Sequence, residues 1–303
     1  MRGNGEQVDR ELPLQAIEQA GEQDAFQQKL THWNRLRLRP GRGEGSWRAQ
    51  LADEQLFRPL ELTWLERERR AVHIKAREAP REAAAFVAWF AALQATGPGQ
   101  GDPLFDYLAL TASREELRWF IEQEVAGEAG FDDLVAMTQV KLPTQAKLEL
   151  ARNYWDEMGR GREAGMHGPM LEHLAQVVGA EVLTEKTVAE ALALGNVMIG
   201  LAFNRRYCMQ SVGALGVVEL TAPTRAVRVV EGLKRLGYGL PEYRYFALHA
   251  VLDVKHSEAW NREVLASLVK ADPSCATAIA EGALMRLSAG ARCFERYRHE
   301  LGV

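Results

Sequence analysis

The segment Tyr243-Arg-Tyr-Phe-Ala-Leu-His-Ala-Val-Leu-Asp-Val-Lys-His256 places His249, Asp253 and His256 at i, i+4 and i+7. A helix advances about 100° per residue, so the three side chains fall within a sector of roughly 60°. Tyr245, Phe246, Leu252 and Trp260 share or flank that face, which makes it an interior one. An unpartnered buried carboxylate is costly, so something must neutralise Asp253 there. Two imidazoles and a carboxylate on one face form a ligand set for a first-row transition metal. A local hydrogen-bonded polar cluster is the alternative, and for a single buried histidine it would be the better one.

Working outward, periodicity over the 303 residues is helical, and alternation with hairpin signals is nearly absent. The expected fold is all-α. The chain divides into an N-terminal helical extension over 1–80 and a helical bundle over 81–303. The extension ends in an amphipathic helix from Leu60 to Arg77, after a break between Arg39 and Gly45. A long helix capped by Thr111 or Ser113, with Glu116 placed for a capping box, is expected to run to about Val140. Pro143 opens the next, which stops at Gly159-Arg-Gly161. Helices at about 166–178, 185–205, 208–221 and 224–236 follow, then the ligand helix over 241–269 and a last one from Pro273 to about His299.

The formal charge of −4 offers no footprint for nucleic acid, and the run Arg35-Leu-Arg-Leu-Arg39 reads as a solvated face. Three cysteines without CxxC spacing read as free thiols in a reducing compartment. The polar start from Met1 to Arg10 lacks a secretory pattern, and the apolar run Val197 to Phe203 is too short to span a bilayer. A cytoplasmic protein is expected, with no membrane partner.

Three ligands on one helix would not saturate a dimetal centre, so carboxylates on other apolar stripes are candidates. Glu124 follows Leu117, Phe120 and Ile121 by seven, four and three residues, and Glu128 lies one turn further. Glu157 follows Leu150 by seven and Tyr154 by three; its neighbour Asp156 aligns instead with Glu149 and Arg152 on an outer face. Glu219 follows Val212 by seven and Leu215 by four in an otherwise apolar segment. His167 comes ten residues after Glu157, which leaves the two about 80° apart on a straight helix unless the glycines bend the chain. Tyr154, Trp155, Phe203, Tyr207, Tyr245 and Phe246 either line a pocket or are plain core.

The segment Asn153-Tyr-Trp-Asp-Glu-Met-Gly-Arg-Gly161 followed by His167 resembles the signature of the haem-oxygenase-like diiron oxidases, the iron-containing redox enzymes. Gly216-Val-Val-Glu-Leu-Thr-Ala-Pro223 resembles their later metal-binding helix, and His249-x-x-x-Asp253-x-x-His256 their terminal one. The likeness covers roughly residues 80–300 and implies a haem-oxygenase-like bundle with two iron ions. The ligands it implies are Glu157, His167, Glu219, His249, Asp253 and His256, with Glu124 from the first long helix and Glu128 as its alternative. Many relatives carry a further Glu where this chain has Ala164, and Glu163 stands one residue off that position.

The implied activity is that of a non-haem diiron oxidase or oxygenase with O2 as co-substrate and an external electron donor. It would oxidise a small organic molecule by N-oxygenation of an amine, or by desaturation or C–C cleavage, in a secondary-metabolic setting. Two alternatives remain: a metal-free, thiaminase-like or cofactor-synthesis enzyme on the same bundle, and a non-catalytic helical interaction protein. For the N-terminal 80 residues, covering the bundle, docking a partner and building a homodimer are all open.

Overall fold

Local signals set the helix starts. Ser113 accepts the Glu116 N–H at 3.2 Å, and Glu116 accepts the Ser113 N–H at 2.7 Å, closing the expected capping box. Glu82 and Asp102 cap the helices that follow them, and Pro103 occupies a first-turn position where its missing N–H costs nothing. The computed structural model describes residues 20–41 and 46–303; the polar start and residues 42–45 of the glycine-rich break lie outside them.

In order, the helices are α1 (Ala20–Leu38), α2 (Trp47–Ala76), α3 (Ala83–Thr96), α4 (Pro103–Leu110), α5 (Arg114–Gly127) and α6 (Phe131–Thr138). They continue as α7 (Thr144–Glu157), α8 (His167–Val178), α9 (Ala189–Phe203), α10 (Cys208–Arg235), α11 (Leu240–Ala259), α12 (Ala266–Ala271) and α13 (Ala276–Leu301). Among the described residues there is no strand, only one isolated bridge between Met158 and Met166. No described helix is long and apolar enough to cross a membrane.

Several boundaries differ from the expected ones. The long helix from Ser113 ends at Gly127, because Gly130 turns left-handed (φ 72°) and Glu128 accepts the N–H groups of Gly130 and Phe131. α10 runs unbroken through Pro223, and α2 through Pro59. The ligand helix continues past Ala259 as a π-helical stretch, Trp260–Leu265, before α12.

α10 is the central pillar, packed along α11 on one side and α13 on the other, with α4 across its C-terminal half. Gly213 and Gly282 let α10 and α13 touch backbone to backbone: a Cβ at Gly213 would fall 1.8 Å from the Ile279 carbonyl oxygen, and one at Gly282 1.7 Å from that of Gln210. One apolar cluster joins α2, α3, α9 and the first halves of α10 and α13. A second joins α4, α5, α8, α11 and the C-terminal halves of the same two helices.

α1 packs on α9, where the Thr31 hydroxyl and the Asn34 side-chain amide both donate to Asn196 Oδ1, and α2 packs on α13. The basic run is not a solvated face throughout. Arg37 pairs with the fully buried Glu61 at 2.6 Å and stacks over Trp33, because Glu61 has no access to water and needs a cation.

Candidate metal centre

α11 presents its polar triad inward. Asp253 and His256 are buried, and His249 Nδ1 lies 3.0 and 3.1 Å from the two Asp253 oxygens. The His249 ring also meets His167 edge to face at 4.7 Å between centroids.

His167 reaches that point through a chain reversal. Gly159, Arg160 and Gly161 all take left-handed φ (61°, 54° and 79°), and Met158 bridges to Met166 across the turn. Glu157 therefore ends α7 beside His167, which begins α8, and Glu157 Oε2 lies 2.5 Å from His167 Nδ1. The contact lacks hydrogen-bond alignment, so both His167 ring nitrogens are buried without a hydrogen-bond partner.

Glu219 enters from α10, buried among Val212, Leu215 and Leu220. Pro223, four residues on, has no N–H to give the Glu219 carbonyl, and Thr221 turns its hydroxyl back to Val217. Glu157, Glu219 and His256 each offer a ligand atom, and these atoms lie within 4.8 Å of one another.

Two further residues belong to this site. Asp156 bonds Arg160 with one oxygen, as an outer-face residue should, but its other oxygen lies 3.0 Å from His256 Nε2. The outer-face reading of Asp156 is thus corrected, since its second partner sits a hundred residues later in the chain. Asn153 donates through Nδ2 to Glu219 Oε1 at 2.5 Å and stands 3.1 Å from His256 Nδ1. With His256 Nε2–H given to Asp156, the Nδ1 lone pair faces Glu219 and Glu157, the carboxylate–histidine pairing found behind metal-ligating histidines. We expect Asp156→Asn to weaken metal affinity about 10- to 100-fold with little change in fold, measured by competition with a chelating dye; unchanged affinity would contradict that role.

The two first-helix carboxylates have different settings. Glu124 accepts a hydrogen bond from the Tyr297 hydroxyl at 3.3 Å, and burial raises its pKa against the pull of Arg286 and Arg225. Glu128, just beyond α5, adds its charge to Glu157 and Tyr245. Both line a cavity of about 200 Å3 with Glu157, His167, Glu219, His249 and Asp253. The structure thus brings Glu124 to the cavity but gives it Tyr297, not the histidines, as hydrogen-bond partner. Glu163 is exposed and outside the lining. Of the proposed pocket aromatics only Tyr245 and Phe246 line it; Phe105, Phe120 and Phe131 complete it, while Trp155 lies half-exposed at the surface.

The electrostatics show a buried cluster short of cations. Burial, reinforced by Glu219, pushes Glu157 up to about 8, and burial lowers His167 to about 4. Burial alone would lower His249, but the charge and hydrogen bond of Asp253 take it up to about 9. His256 is likewise taken to about 9, by Glu219 and Asp156 against burial. Burial and Glu219 raise Asp253. Asn153 Oδ1, both His167 nitrogens and His249 Nε2 remain buried without partners. Buried polar atoms are normally paired, and imidazole nitrogens without hydrogen-bond partners beside carboxylates fit a metal-ligand set.

A family model described as iron-containing redox enzyme matches residues 118–291, more than half of the chain. The chain belongs to that haem-oxygenase-like family, whose all-α bundle it shares. No curated protein matches it.

Proposed function

We propose that the protein is a non-haem diiron oxidase or oxygenase acting on a small organic substrate. The observation that carries this reading is the convergence of Glu157, His167, Glu219, His249 and Asp253, from four helices, on one cavity, with His256 grouped behind Glu157 and Glu219 and several imidazole nitrogens unpartnered. Glu157 is shared: it touches His167 on one side and groups with Glu219 and His256 on the other. One ion is assigned to Glu157, Glu219 and His256, the second to Glu157, His167, His249 and Asp253. Among the described residues, Glu124 and Glu128 each keep one oxygen free of hydrogen bonds, Glu124 beside the bond from Tyr297 and Glu128 beside those from Gly130 and Phe131; Glu128 suits the remaining ligand position because its charge acts on Glu157.

Four ligand carboxylates then balance two ferrous charges, and bound iron would supply the electrons that reduce dioxygen and the oxidising power for a C–H or N–H bond. The chain's own contribution is orientation. Asp156 and Asn153 fix the His256 ring and Glu219, and the phenyl rings of the cavity keep water from the reacting end of the substrate. An external donor would return the irons to the ferrous state. Protein loaded anaerobically with Fe(II) should consume about one O2 per two irons in a rapid phase on an oxygen electrode. Uptake no faster than ferrous ion in buffer would overturn the reading.

The metal-free protein should lose stability as pH rises. His249 and His256, at about 9 folded against 6.5 for a free histidine, stabilise fully below pH 6.5 and lose that contribution towards pH 9. Glu157, at about 8 against 4.5, becomes costlier over that interval. His167, lowered to about 4 from 6.5, costs stability only below pH 6.5 and contributes no change between pH 6.5 and 9. The thermal midpoint of metal-free protein should therefore fall by several degrees from pH 6.5 to 9, and iron-loaded protein, whose ligands must already be deprotonated, should fall less. A flat or rising midpoint for the metal-free form would contradict this.

A further inference from the structure

The cavity that holds the proposed ligands also contains two arginines, Arg225 of α10 and Arg286 of α13. A guanidinium cannot shed its charge, and burying one without a partner is expensive. Yet among the described residues neither Arg225 nor Arg286 makes a hydrogen bond or an ion pair. Arg225 leans only on aromatic faces, 6.0 Å from the Phe105 centroid and 5.5 Å from that of Phe294. Glu124 is the nearest candidate counter-ion, and both arginines act on it at a distance, but its hydrogen bond comes from Tyr297. Burial lowers Arg225 to about 10, which leaves it cationic at neutral pH.

Charge balance says what is missing. If the four proposed ligand carboxylates match two ferrous ions, Glu124 is left to face two arginines; Asp132 also lines the wall but is not among the acids whose charge acts on Arg225. Apart from these acids and the Tyr245 hydroxyl, the rest of the wall is largely apolar, including Phe105, Phe120, Val229 and Phe246. The cavity therefore suits one monoanionic head on an apolar body, and a planar guanidinium pair suits a carboxylate.

We propose that Arg225 and Arg286 bind the carboxylate of the substrate in the cavity they share with the proposed metal ligands. This deepens the oxidase reading and rests on it for the word substrate, but the anion site itself does not require the metal.

The test is calorimetric binding of hexanoate, octanoate and 3-phenylpropanoate, each against its neutral amide, with octyl phosphate as a competing anion. Wild type, Arg225→Gln and Arg286→Gln are compared in iron-loaded and chelator-stripped forms, with iron content and circular dichroism recorded for each. At least one carboxylate should bind about tenfold or more tightly than its amide in both metal states. Each Gln variant should erase that preference while keeping its iron and helicity. Carboxylate binding that needs iron and ignores both substitutions would place the anion on the metal and overturn the proposal, leaving the metal site intact. Absence of carboxylate preference in the stripped and loaded protein, or a preference for octyl phosphate beyond about tenfold, would also overturn it. Wild-type protein that binds carboxylates through both arginines but takes up no iron would instead sink the oxidase reading alone. Variants that lose their helicity are replaced by Arg225→Lys and Arg286→Lys, which keep the charge but not the fork, and retained full affinity in both would overturn the two-point contact.

Discussion

Glu157→Ala should purify as a folded protein that holds no iron. Glu157 is the residue common to both halves of the proposed centre, 2.5 Å from His167 and grouped with Glu219 and His256. Removing even an outer partner of a metal ligand typically costs 10- to 100-fold in affinity, so loss of a shared ligand should exceed about 100-fold. Misfolding would also lose iron, and metal-free stability separates the two. The Glu157 carboxyl is held near pKa 8 by burial, so its ionised form is a burden on the empty protein at neutral pH and above. Metal-free Glu157→Ala should therefore melt at or above metal-free wild type at pH 8. The exposed Glu115→Ala serves as control and should keep wild-type iron content. Normal iron content in Glu157→Ala would contradict the assignment.

Gly159→Val should have the second largest effect, through geometry. Gly159 has φ 61°, and a Cβ there would lie 2.3 Å from the Gly165 carbonyl carbon. A β-branched residue faces the left-handed penalty of 1–2 kcal/mol and a backbone clash that only opening the turn relieves. Opening it pulls His167 away from Glu157 and His249. We expect a stability loss of about 2 kcal/mol or more in urea unfolding and iron reduced to about one ion per chain. Gly168→Ala, where a Cβ meets nothing within 4 Å, should change neither. Full iron content in Gly159→Val would mean that His167 is not a ligand or that the turn yields without moving it.

The legibility of the site followed the reach of local periodicity. His249, Asp253 and His256 lie on one helix, so their common face could be read from spacing alone. Glu157 and Glu219 were legible as charges on apolar stripes, since α7 and α10 are regular where they carry them. His167 was not, because the left-handed turn at Gly159–Gly161 breaks any wheel drawn through it; the family resemblance supplied it. Asp156 and Asn153 escaped because their partners, His256 and Glu219, are 100 and 66 residues away.

The choice between Glu124 and Glu128 depended on a helix expected to reach Val140 that stops at Gly127, so the stripe drawn through both residues does not continue. The helix start expected at Leu60 and the break expected between 221 and 224 both fall next to a proline, but Pro59 and Pro223 lie inside long helices, which tolerate a proline when packing or side-chain hydroxyls compensate for the lost bond. Arg225 and Arg286 gave no signal, since a charged residue on a helix is by default a solvated one. Their place in the cavity wall shows only once the helices are assembled.

The most direct test of the central claim is a crystal structure of the Fe(II)-loaded protein with anomalous scattering recorded at the iron edge. Two peaks in the cavity are predicted, one within bonding distance of Glu157, Glu219 and His256, the other of Glu157, His167, His249 and Asp253. An iron-free cavity, a haem, or iron bound away from Glu157 would contradict it.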